Sequence, residues 1–108
     1  MNKIKSFFDR EQNLLVHIIA AILVTIFGFI FKISLLEWLL IYSMIALVIT
    51  SELINSSIEL VVNLYTTEFN PLAMIAKDVA SSGVLVSAIT ALLVGLYIFI
   101  PKVLELIF

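Results

Sequence analysis

The chain has 108 residues, 63% of them hydrophobic and 13% charged, with a net charge of −2. A soluble domain averages about half apolar and about one-quarter charged residues, and a short chain buries only about 60–70% of the surface it exposes when unfolded. An ordinary soluble enzyme is thereby excluded, and lipid is the expected solvent for a single integral membrane domain over 1–108. The absence of cysteine excludes disulfides and thiolate chemistry, and the single histidine excludes a multi-His zinc site. With no basic block, no nucleic-acid partner is expected.

In chain order, Lys3, Lys5, Asp9, Arg10 and Glu11 open the sequence. The run 13–31 that follows carries no formal charge with His17 neutral, and it is long enough to cross a hydrocarbon core of about 30 Å. Lys32 and Glu37 bracket a short break. A second apolar segment spans 36–64. As a helix it is about 43 Å long, so its acidic end reaches the headgroup layer. The segment 65–78 holds Thr66, Thr67, Asn70 and Pro71, and reads as a turn followed by a short helix starting near Pro71. A third span covers 79–100 and is expected to end at Pro101 and Lys102. Three spans with most of their flanking cations at the N-terminus predict a multi-pass inner or plasma membrane protein with a cytoplasmic N-terminus. The segment 65–78 is then cytoplasmic as well.

The most informative pattern is Glu52, Asn55, Glu59 and Asn63. At about 100° per residue they fall within an arc of about 80°, one stripe on an otherwise apolar helix, with Ser56 at its edge. A carboxylate at membrane depth costs about 2.5–3.5 kcal/mol on insertion scales. A seam of interhelical hydrogen bonds accounts for Asn55, Ser56 and Asn63. It accounts poorly for Glu52 and Glu59, because no Lys or Arg lies within the spans to pair with them. Two carboxylates near a membrane surface suit a hard divalent cation or a general base. Lys77 and Asp78 add a phosphate-seeking cation and a polar neighbour, although such a pair also serves as an interface anchor. Neither a P-loop nor a dinucleotide-binding glycine motif is present. His17 reads as a hydrogen-bonded seam residue, Trp38 and Tyr65 as interface anchors, and Gly95 beside Ala88 and Ala91 as a point of close helix contact.

The run Glu52-Leu-Ile-Asn55-Ser56-Ser57-Ile-Glu59, followed by Glu68 and by Ala76-Lys77-Asp78, resembles the prokaryotic diacylglycerol kinase family. The segments Ile33-Ser34-x-x-Glu37-Trp38 and Pro71-Leu72-Ala73 resemble its Gram-positive branch, whose usual acceptor is undecaprenol. The resemblance implies an all-α homotrimer of three-span subunits with a short amphipathic N-terminal or loop helix, using ATP and Mg²⁺ on a membrane lipid alcohol. It implies that Glu52 is the catalytic base and that Asn55 positions the reacting groups. It assigns Glu11 and Glu59 to the metal, Lys77 and Asp78 to the nucleotide, and Glu68, Phe69 and Asn70 to a loop touching the nucleotide. Ser81, with Ser82 and Gly83, either allows close helix contact or lies where the family contacts the lipid headgroup. The family usually has Asp where this chain has Asn63. Only ten residues precede Glu11, and Lys3-Ile-Lys5-Ser6-Phe7-Phe8 resembles a remnant of the family's surface helix. An undecaprenol kinase is therefore expected. The alternatives are a diacylglycerol kinase, a non-catalytic membrane homologue and, more weakly, a small cation-coupled transporter.

Overall fold

A computed structural model describes residues 12–108. Glu11 and the segment from Lys3 to Phe8, with its expected surface helix, lie outside the described residues. Among the described residues the chain is all helical: α1 (Gln12–Ile30), α2 (Leu35–Tyr65) and α3 (Pro71–Ile107). Each is long and apolar enough to cross a membrane.

The chain's own punctuation sets each helix end. At the end of α1, Lys32 adopts a left-handed φ of 51°. Its N–H reaches the Phe29 carbonyl at 3.3 Å, and the Ile33 N–H reaches the Gly28 carbonyl at 3.2 Å. This is a Schellman closure, which satisfies carbonyls that would otherwise point into an apolar medium. Ser34 then caps α2 through a capping box. Its hydroxyl accepts from the Glu37 N–H, and Glu37 Oε1 accepts from the Ser34 N–H. Asn70 caps α3 by accepting from the N–H groups of Leu72 and Ala73, with Pro71 in the first turn.

Two boundaries differ from the sequence reading. The short helix expected near Pro71 is the opening of α3, which runs unbroken into the apolar span. No glycine or proline lies between Pro71 and the span to interrupt it, and the Asn70 cap needs only one start. Pro101 does not end the helix; α3 continues to Ile107. Proline deletes a single backbone donor, and membrane helices tolerate that loss. Beyond it, Lys102 Nζ meets Glu37 Oε2 at 2.8 Å and ties the end of α3 to the start of α2.

The helices alternate in direction, with α2 packed between α1 and α3. Three polar contacts give the α2–α3 register: Glu37 with Lys102, Ser51 with Ser87, and Asn63 with Lys77. The apolar core sits toward the Glu37–Lys102 end, where Ile33, Ile41 and Ile98 are surrounded by Val24, Phe31, Trp38 and Phe99. Only 11–22% of each span is buried within the chain. The outward faces remain apolar, as lipid requires.

The close helix approach expected at Gly95 occurs elsewhere. A Cβ at Gly95 meets nothing within 4 Å, whereas one at Gly28 would lie 2.5 Å from Trp38 Cη2. The indole fills the space that Gly28 leaves open. Gly28→Ala is expected to lower unfolding stability by about 1–3 kcal/mol, the usual cost of overpacking. Thermal unfolding in detergent would show this as a clear fall in midpoint, while Gly95→Ala within the isolated subunit stays near wild type.

Candidate active site

The polar stripe on α2 is present, and its burial is graded. Glu52 is 2% exposed, Ser56 1% and Asn55 7%. Glu59 is half-buried and Asn63 is exposed. Over about 10 Å between Glu52 and Glu59 the stripe thus passes from the protein interior toward one end of the bundle. That end carries the 65–70 connection and the start of α3.

The helices flanking α2 bring specific partners to this stripe. From α1, His17 Nε2 lies 3.7 Å from Glu52 Oε2. Sequence reasoning assigned His17 to a seam and missed this pairing. The signal was available in the hairpin register: the tight 31–34 connection sets the first third of α1 against the middle of α2. From α3, Ser87 bonds Ser51 at 2.8 Å and also donates to the Gly83 carbonyl. Lys77 Nζ donates to Asn63 Oδ1 at 2.7 Å. An amide oxygen thus holds the lysine where the resemblance leads one to expect a carboxylate. The cation stands about one helical turn beyond Glu59.

Within the stripe, Asn55 Nδ2 donates to Glu59 Oε1 at 3.5 Å, a long hydrogen bond. Asn55 Oδ1 and Ser56 Oγ are buried, with no hydrogen-bond partner among the described residues. Buried polar atoms in native proteins are nearly always satisfied, so an orphaned pair beside two carboxylates marks a place for a polar ligand.

Other candidates are placed differently. Ser81 and Ser82 are exposed, and each donates to the Asp78 carbonyl on its own helix. The serine that does face α2 is Ser87. The Asn70 side chain is engaged as the α3 cap. Phe69 is 81% exposed. Glu68 is exposed, with its N–H bonded to Thr66 Oγ1. Asp78 is exposed next to the half-buried Lys77. Together these put an exposed acidic and aromatic turn beside the lysine.

Among the described residues, no three His, Cys, Asp or Glu side chains converge as a closed metal cage. Mg²⁺ does not require one. It is usually held by one or two carboxylates, with phosphate oxygens and water completing an octahedron. The oxygen donors on this part of the stripe are the half-buried Glu59 carboxylate and the buried, orphaned Asn55 Oδ1. That set fits a hard cation bound together with a polyphosphate, and Lys77, held on Asn63, stands about one helical turn beyond Glu59.

An apolar groove of about 580 Å³ runs between α1 and α3 over α2, from His17 past Val24 and Ile45 to Phe31 and Phe99. Among the described residues, His17 is the only polar one on its wall.

Residues 1–99 match the family model "Prokaryotic diacylglycerol kinase". Undecaprenol kinase of Bacillus subtilis (strain 168) is 41% identical over 92 residues, covering 85% of this chain and 75% of that protein. Diacylglycerol kinases of two Helicobacter pylori strains, J99 and 26695, are 52% and 50% identical over 54 residues, covering 50% of this chain and 42% of each relative. No solved structure matches the chain. A polar stripe set into three apolar helices, matched by the family model over nearly all the chain, makes this protein a member of the prokaryotic diacylglycerol kinase family of membrane lipid kinases.

Proposed function

We propose that this kinase transfers the γ-phosphate of ATP to the hydroxyl of undecaprenol at the cytoplasmic face of the inner or plasma membrane. The observation that carries this reading is the burial gradient along α2, with Glu52 enclosed at lipid depth and Glu59 and Lys77 at the open end. A lipid hydroxyl reaches the first, and a water-soluble nucleotide reaches the second. In the transfer, the lipid oxygen forms a bond to the γ-phosphorus. The bond from that phosphorus to the bridging oxygen breaks, ADP leaves, and the hydroxyl proton passes to the Glu52 carboxylate. Asn55 positions the reacting groups from the next turn.

Phosphoryl transfer depends chiefly on positioning and charge neutralisation. Mg²⁺, held by Glu59 with Glu11, supplies that neutralisation when bound. Lys77 takes a phosphate oxygen, Asp78 flanks it, and the Glu68–Phe69–Asn70 turn covers the nucleotide. Ser81 contacts the lipid headgroup. The N-terminus is cytoplasmic, which places the 65–70 connection and the start of α3 on the side that holds ATP. The working form is a homotrimer, in which neighbouring subunits cover apolar surface left open in the single chain.

The undecaprenol assignment is supported by the Bacillus relative, whose match covers 85% of this chain. The Helicobacter relatives favour diacylglycerol over a shorter stretch. The test is transfer of labelled γ-phosphate to each lipid in mixed micelles. Preferential labelling of undecaprenol is expected. Preferential labelling of diacylglycerol would reassign the acceptor, and labelling of neither would overturn the kinase activity.

A further inference from the structure

We propose that Ser56 is a further catalytic residue, whose hydroxyl donates a hydrogen bond to an oxygen of the phosphoryl group in transfer. The proposal deepens the lipid kinase reading of this site and rests on it. Its observation is separate. Ser56 is 1% exposed, and its Oγ is buried with no hydrogen-bond partner among the described residues.

A hydroxyl inside a helix has a local partner in the carbonyl four residues back. Thr25, Ser43, Ser57 and Thr90 all use it, with Ser57 donating to the Leu53 carbonyl at 3.0 Å. Ser56 adjoins the exposed Ser57 and is itself buried, yet it does not take the equivalent Glu52 carbonyl. Nor does it make the interhelical bond expected of it in a polar seam. A buried hydroxyl in this state costs desolvation with no bond in return, a cost that alanine at the same place would not carry. Buried polar atoms left in this way mark strain, catalysis or a bound group.

The height of Ser56 along α2 points to the group it meets. It stands about 6 Å beyond Glu52 and about 4.5 Å short of Glu59 along the axis, on the edge of the same stripe. The lipid oxygen meets Glu52 and the cation meets Glu59, so the phosphoryl group passes at the level between them. Of the orphaned pair at this level, Asn55 Oδ1 only accepts, whereas a serine hydroxyl donates. Charge in the transfer spreads over the three equatorial oxygens, and a fixed donor in an enclosed site stabilises it. Glu52 and Ser56 are covered alike, 2% and 1% exposed, so an opening that admits substrate to one reaches the other. In the step the lipid oxygen bonds to the γ-phosphorus, the bond to the bridging oxygen breaks and ADP leaves. The lipid hydroxyl proton goes to Glu52. Ser56 keeps its own proton and forms no covalent bond.

The test uses the full-length protein in mixed micelles with Mg-ATP. Ser56→Ala removes the donor, Ser56→Cys fills the same space with a weak one, and Ser57→Ala is the neighbouring control. For Ser56→Ala, kcat is expected to fall by about 10²-fold, the scale for deleting one donor aimed at developing charge. KM for lipid and for ATP should stay within about twofold, the mark of an interaction made in the transition state. Ser56→Cys should track Ser56→Ala, and Ser57→Ala should turn over like the wild type. The second readout is thermal unfolding without substrates. The Ser56→Ala midpoint should equal or exceed that of the wild type, because the free protein loses no bond. A hydroxyl that serves structure, bonded to water or to a neighbouring subunit, would lower the midpoint instead, and that result overturns the proposal. So would full kcat in Ser56→Ala, a loss confined to KM, or wild-type turnover in Ser56→Cys. If the wild type labels lipid and Glu52→Gln does not, these results remove Ser56 alone. A wild type that labels no lipid would remove the kinase reading and Ser56 with it.

Discussion

Glu52→Gln is expected to abolish turnover while leaving the helices assembled. The substitution preserves shape and one acceptor oxygen and removes the carboxylate proposed to accept the proton. A general base contributes about 10²–10⁴ in rate, so kcat should fall within that range while KM for ATP changes little. The base and the nucleotide end of the stripe are separated by about two helical turns, which is why the two constants should separate. Folding should be preserved because a side chain of the same size and shape fills the same buried space. The same micelle assay that identifies the acceptor reads the loss, and unchanged helicity and oligomer size exclude misfolding as its cause. Wild-type turnover would move the base elsewhere on the stripe.

The parts of this molecule most legible in sequence were those with one physical solution. Charge-free runs of the right length can only be membrane helices, and Ser34 with Glu37 marks a helix start by its own spacing. The stripe on α2 was legible because 3.6-residue periodicity places Glu52, Asn55 and Glu59 together whatever the helix packs against. Contacts between helices were less legible, since they depend on a register that single residues do not state. His17 beside Glu52, Lys77 on Asn63 and Lys102 on Glu37 are all of this kind. Pro101 misled for a different reason. Its effect on a helix depends on the packing around it, and α3 is held against α2 on either side of it, by Ile98 before and Lys102 after. Gly28 and Gly95 could not be ranked from sequence, because the feature that matters is the ring of Trp38.

Glu59→Gln is expected to be nearly as damaging as loss of the base, and through a different dependence. Glu59 is the half-buried carboxylate between enclosed Glu52 and exposed Asn63, with one oxygen held by Asn55 at 3.5 Å. That contact leaves a second carboxylate oxygen for a cation that also engages the phosphates. Chelation of Mg²⁺ should silence the wild type, and its restoration should recover full activity. The Gln variant keeps an oxygen donor but loses the charge. Its turnover at fixed Mg²⁺ should fall by roughly 10²–10³, the scale for deleting one preorganised group aimed at developing charge. Raising Mg²⁺ should recover part of that loss, whereas it should recover none in Glu52→Gln, where the deficit is a proton acceptor. The contrast assigns the two carboxylates. A Glu59 variant indifferent to Mg²⁺ would place the cation elsewhere, and a Glu52 variant rescued by Mg²⁺ would make that residue the ligand.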